Sequence, residues 1–246
     1  MDPRNKTALI TGGAKGIGRA IGLALGSRGW SVALCYRTSQ AEAFQTGQEI
    51  VSRGGAALVE QCDVSLEPSC AALVKKVGLA LGPIDALINC VGPYHRVGLL
   101  EETPDGWLDM FAQNLHPLFY LSRLVAPQMI EQRWGRIISF SMANADRMLA
   151  QPQLTAHYIA KVGVLALTRS LAKQLAPHQI TANTISPGFI ASGSAPDEEL
   201  LKMVKHIPAG YVGELTDATS AALYLLSDEA RYLNGTNLVL SGGWGL

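Results

Sequence analysis

The sequence is short of several things, and each shortage narrows what the chain can be. Among its 246 residues there are four cysteines, Cys35, Cys62, Cys70 and Cys90, all at wide spacing. No CxxC pair offers a zinc site, so no metal is expected, and isolated thiols in apolar surroundings suit the reduced core of a cytoplasmic protein. Charged residues make up only 16%, with 20 basic side chains balancing 20 acidic ones. No basic field therefore points to nucleic acid or to an anionic membrane surface. No apolar run approaches the ~18 residues of a membrane span. The opening "MDPRNKTALITGG" also lacks the apolar core of a signal peptide.

What the chain does have is apolar content, 48% of residues, enough to bury the core of one α/β domain spanning residues 1–246. Short apolar runs recur at 7–10, 30–36, 56–64, 86–92, 135–141, 180–186 and 236–243. Most are rich in Val, Ile and Leu, as strands buried on both faces require. Between them lie helical stretches, among them 16–29 ending at Gly29 and 40–53 stopping at Gly54-Gly55. The alternation predicts an α/β fold: a single doubly wound (Rossmann) seven-stranded parallel sheet with helices on both faces.

"TGGAKGIG" (11–18) directly follows the first strand and opens the first helix. Gly12, Gly16 and Gly18 let the backbone turn sharply and approach a pyrophosphate, which the helix N-terminus then stabilises. Thr11, Lys15 and Ile17 complete this candidate cofactor turn.

The turn resembles that of the short-chain dehydrogenase/reductase family, and the likeness continues through "CDV" (62–64), "NCVG" (89–92), Asn114, "SPG" (186–188) and "SGG" (241–243). Similar members include bacterial 3-oxoacyl reductases and pteridine reductases. The resemblance implies that Asp63 and Val64 edge the adenine, and that Asn89, Val91 and Gly92 line the adenosine side. Pro187, Gly188 and Ile190 would border the nicotinamide, with Ser192 in reach of the cofactor.

The dinucleotide is chosen after the second strand, where an acidic residue would bond the ribose 2′-hydroxyl of NAD. Here the chain reads "CYRTSQ" (35–40), with no carboxylate before Glu42. Arg37 offers a forked donor to a 2′-phosphate, Thr38 and Ser39 add hydroxyls, and Lys15 adds a second positive charge. NADPH is expected, with NAD as the alternative.

In the resembled family a tyrosine protonates the substrate carbonyl, a lysine four residues later lowers its pKa and holds the ribose, a serine orients the carbonyl, and an asparagine anchors a relay water. Asn114 and Lys161 match two of these positions. Met142 stands where the serine belongs and His157 where the tyrosine belongs, and the segment 142–157 is about two residues longer than usual. Three readings follow. His157 is the acid, weakened because Lys161 nearby would lower its pKa. Tyr158 substitutes, although a helix rotates it ~100° from the expected face. Or the chain binds nucleotide with little or no catalysis. Tyr94 and His95, on the loop after the fourth strand, and His116 are candidate substrate contacts, and Ser141, Asn144 and Asp146 candidate hydrogen-bonding groups; for all six a structural role is at least as well supported.

The segment 189–211 would cover a small-molecule carbonyl substrate, with a helix capped near Ser194 and running to about His206. The helix 155–176 is apolar around more of its circumference than one sheet contact needs, through Val162, Val164, Leu165, Leu167, Leu171 and Leu175. Together with the resemblance this predicts a homo-oligomer, a dimer or tetramer. Trp244 and Leu246 in the tail would either meet a partner subunit or fold back.

Overall fold

Seven parallel strands form one sheet in the order β3-β2-β1-β4-β5-β6-β7, in a computed structural model that describes residues 5–193 and 196–245. The strands are β1 (Thr7–Thr11), β2 (Ser31–Tyr36), β3 (Ala56–Gln61), β4 (Ile84–Asn89), β5 (Gly135–Phe140), β6 (Ile180–Pro187) and β7 (Asn237–Leu240). The helices are α1 (Gly16–Gly26), α2 (Gln40–Ser52), α3 (Glu67–Leu81), α4 (Pro104–Asn114), α5 (His116–Gln132), α6 (Thr155–Leu175), α7 (Asp197–Met203) and α8 (Leu215–Leu226). Two buried apolar clusters pack the helices onto the faces of the sheet. Leu9, Leu87, Leu118 and Leu121 belong to one, and Ile10, Ile88, Ile138 and Leu225 to the other. Neighbours along a strand thus go to opposite clusters, which is why the sequence runs carry no polar alternation.

Strand order reverses between β1 and β4, so the connections leaving their carboxyl ends diverge and open a crevice there. Four strands end earlier than the sequence runs: β5 at Phe140, β7 at Leu240, and two that border the crevice. β3 stops at Gln61 and β4 at Asn89, which leaves Cys62–Val64 and Cys90–Gly92 as loop free to line that crevice. Pro117, which has no N–H to continue a helix, marks the break between α4 and α5 and leaves Asn114 at the end of α4.

The expected cap at Ser194 lies outside the described residues, as does Leu246. α7 begins at Asp197, and a single tighter turn extends it from Val204 to His206. The tail folds back on its own chain. Trp244 meets Phe189 edge to face at 4.8 Å, and Gly245 abuts the amide of Asn144. No helix among the described residues is long and apolar enough to cross a membrane.

Candidate active site

The turn between β1 and α1 has the build of an anion cradle. Gly12 and Gly16 adopt φ of +64° and +53°, where a side chain would be strained. A Cβ on Gly18 would stand 2.6 Å from the Gly12 carbonyl oxygen. No side chain caps the first turn of α1, and no acidic residue lies in it, so its N–H groups stay available to a phosphate.

Two hollows of about 240 and 440 Å³ meet at this turn, sharing Gly12 and Lys15. The first also takes Arg37, Thr38, Ser39, Asp63, Val64 and Val91 from the ends of β2, β3 and β4. The second takes Gly16, Ile17, Gly18, Gly92, His157 and Lys161, with Pro187, Gly188, Ile190 and Ser192 on its far wall. A dinucleotide fits this chemistry: glycines where a pyrophosphate must approach, and a guanidinium with hydroxyls at one end.

Four expected site residues are placed differently. Thr11 is fully buried, and its hydroxyl accepts from the N–H groups of Cys90 and Val91 at 3.1 and 3.3 Å. It therefore clasps the exit of β4 to β1 and does not line either hollow. Asn89 lies behind the wall, its Nδ2 on Ser139 Oγ at 3.5 Å. Asn114 is also behind it, with Nδ2 donating to the carbonyls of Pro93 and Met110 and Oδ1 unpartnered. Tyr158 points away from the cleft: its hydroxyl donates to Asn144 O at 2.9 Å and accepts from Leu149 N at 2.8 Å. Because α6 is regular from Thr155, the one-residue offset from His157 carries the phenol round to the loop side.

Tyr158 thus staples the lengthened segment 142–149, two of whose residues, Asn144 and Met148, have positive φ. Tyr158→Phe should destabilise the protein by about 1–3 kcal/mol, because the buried Asn144 C=O and the part-buried Leu149 N–H lose their shared partner. Urea unfolding checks this. Unchanged stability with a large loss of activity would return the tyrosine to the list of acids.

Lys15 is not a free second charge. Its ammonium lies 2.6 Å from Glu42, which it draws below the usual carboxylate range, leaving Arg37 as the forked donor at that end. His116 lies against Tyr120 on α5, at 5.8 Å between ring centres. His95 pairs with Glu102 at 2.6 Å, and the Ser141 hydroxyl donates to Lys161 O at 2.8 Å.

The reactive end of the groove holds a buried positive charge. Lys161 is 4% exposed, its Nζ donates to Phe140 O at 3.0 Å, and burial pushes its pKa down to about 8. Space is made by Gly92, since a Cβ there would meet Lys161 Nζ at 2.5 Å. His157 is pushed down to about 4, first by burial and then by the Lys161 charge, which exceed the support it draws from the Pro93 carbonyl. Its ring is neutral at pH 7. The direction expected from Lys161 holds, although burial is the larger cause. Gln113, Tyr36 and Phe140 also line these hollows; no motif points to them, but the last two end strands at the crevice, where the switch-point rule would have found them.

A parallel sheet with a glycine cradle at its switch point and a buried lysine beyond defines a dinucleotide-dependent oxidoreductase of the doubly wound class. A family model described as enoyl-(acyl carrier protein) reductase matches residues 12–245. The 3-oxoacyl-(acyl-carrier-protein) reductase FabG of Staphylococcus epidermidis is 33% identical over 242 residues, 97% of this chain and 98% of that one. FabG of Haemophilus influenzae is 32% identical over 243 residues, 98% of each chain. Among solved structures, a protein from Sinorhizobium meliloti described as a short-chain alcohol dehydrogenase aligns with a TM-score of 0.91 at 27% identity, covering 99% of this chain and 97% of the other. The chain belongs to the short-chain dehydrogenase/reductase family of oxidoreductases.

Proposed function

We propose that the protein is an NADPH-dependent reductase of small carbonyl compounds that works by hydride transfer with an atypical proton donor. The observation that carries this reading is the continuous groove from Arg37, past the Gly12–Gly18 turn, to the buried Lys161. A reduced nicotinamide bound there supplies the hydride. The chain itself holds the diphosphate on the start of α1 and sets the buried positive charge of Lys161 where negative charge grows on the carbonyl oxygen. The curated relatives are named for 3-oxoacyl thioesters, so acetoacetyl-coenzyme A and diacetyl are the first carbonyl probes to follow with NADPH absorbance.

Arg37 is the proposed reader of the 2′-phosphate. A charge-assisted bond of about 1.5–3 kcal/mol means that Arg37→Ala should weaken NADPH binding by roughly 10–100-fold and leave NADH nearly unchanged. Calorimetric titration of both cofactors checks it. Tighter binding of NADH by the wild type would overturn the assignment.

A second reading, a nucleotide-binding protein without turnover, is favoured by one observation: Met142 has no donor, and the neutral His157 is a poor one. Tight NADPH binding with no oxidation by a broad carbonyl panel would establish it. We further propose a homo-oligomer, because Leu108 on α4 and Phe119 on α5 are 64% and 51% exposed while Val162, Leu167 and Leu171 on α6 are only partly covered. Light scattering should return a multiple of the chain mass, and a one-chain mass would overturn this.

A further inference from the structure

The carbonyl oxygen of Pro93 accepts two side-chain hydrogen bonds, from Asn114 Nδ2 at 3.0 Å and from His157 Nδ1 at 3.2 Å. A peptide carbonyl only accepts, so the ring proton of the neutral imidazole must be on Nδ1. Nε2 then carries a lone pair and no proton. At this position, therefore, the ring orients and accepts but does not donate.

The next residue along the chain is Tyr94, which lines the same hollow as His157, Lys161 and Ser141. Its ring centre is 5.9 Å from that of His157, at an interplanar angle of 60°. The Arg96 guanidinium lies 6.0 Å from the Tyr94 ring and is itself held by Glu199 of α7 at 2.7 Å. Pro93 restricts the turn through its own locked φ, and its carbonyl is pinned by both donors. Of the other hydroxyl and imidazole groups nearby, Ser141 is committed to Lys161 O, Tyr158 to Asn144 O and His95 to Glu102.

We infer that Tyr94 is the proton donor of the reaction and that His157 is a positioning residue, holding the Pro93–Tyr94 turn against the cleft. This rests on the carbonyl-reductase reading above. As the carbonyl carbon receives hydride, its π electrons move to oxygen, which takes the phenolic proton. The phenolate left behind is on a side chain 44% exposed and takes a proton back from water. The loop after β4 thereby supplies the phenol that the start of α6 lacks.

The experiment follows NADPH oxidation by acetoacetyl-coenzyme A and diacetyl in the wild type, Tyr94→Phe, His157→Gln and His157→Leu, with NADPH affinity measured separately. Tyr94→Phe should lower kcat by ~100-fold or more with KM and NADPH binding within about twofold. His157→Gln, whose amide can still donate to Pro93 O, should keep kcat within about tenfold, whereas His157→Leu should fall with Tyr94→Phe. The pH profile separates the two donors. An imidazole whose pKa lies at about 4 would give a reduction rate falling away above that pH. A donor other than that imidazole leaves the rate level from about pH 5 to about pH 7, below the about 8 at which Lys161 gives up its proton. The inference is overturned if Tyr94→Phe keeps wild-type kcat, or if His157→Gln loses as much as His157→Leu. A wild type that binds NADPH but oxidises it with neither probe overturns the reductase reading, and the donor assignment with it.

Discussion

Gly18→Ala is expected to weaken NADPH binding by roughly 10–100-fold while leaving the circular-dichroism spectrum unchanged. The added Cβ would stand 2.6 Å from Gly12 O, 3.1 Å from Gly12 C and 3.2 Å from Gly13 Cα. All three are backbone atoms, so no side chain can swing aside to make room. Overpacking of this kind costs about 1–3 kcal/mol, and it falls on a turn that Gly12 and Gly16 already hold at positive φ. The strain is local, because Gly18 lies in the first turn of α1 and every atom its Cβ would meet belongs to the Gly12–Gly13 turn. Gly78→Ala in α3 is the control, since its Cβ would meet nothing within 4 Å. Fluorescence titration reads both variants. A Gly18→Ala protein that binds NADPH like the wild type would show that this turn does not carry the diphosphate.

Lys161→Met should move activity and stability in opposite directions. Removing the Lys161 ammonium from the reaction end of the groove should lower kcat/KM by ~10²–10³-fold, the range for a lost electrostatic donor. The same substitution should raise stability at pH 7. Lys161 titrates at about 8 against an ordinary 10.5, a burial penalty on the order of 3 kcal/mol, of which the lost bond to Phe140 O returns about 1 kcal/mol. The sign of the pH dependence follows. Below pH 8 both states hold the proton, and the folded state bears the full cost of a buried charge. Between about pH 8 and 10.5 the unfolded chain keeps a proton that the folded one has released, so stability rises with pH. Urea unfolding at several pH values should show this rise in the wild type, and Lys161→Met should lack it. A variant that is both fully active and less stable would remove Lys161 from the site. The opposition is what a functional residue held at a cost to the fold should produce.

Much of the fold could be read from apolar runs and glycines, because a two-sided sheet imposes its pattern on each strand locally. The ends of β3 and β4 could not. Cys62 and Val64, and Cys90 and Val91, carry the apolar runs past the last residues of β3 and β4, and the chain does not mark where strand pairing ends. The charge near Arg37 was also hidden. Lys15 and Glu42 lie on different helix approaches, and only the folding of α2 beside α1 brings them together. The Tyr158 offset was visible as an angle, but its partners, Asn144 O and Leu149 N, belong to a loop whose path no periodicity describes. Tyr94 stood in the sequence as one aromatic on a loop, and its meaning depends on His157, 63 residues on, which closes over it.

The sequence by itself determined the seven strands, the glycine turn after β1 and the place of Lys161 near the start of α6. These depend on residue type and near spacing, which set backbone conformation directly. Only the tertiary structure decided which groups carry protons and which charges stay free. A proton's position depends on burial and on partners remote in the chain: Pro93 O holds the His157 proton on Nδ1, Glu42 occupies Lys15, and burial lowers the pKa of Lys161.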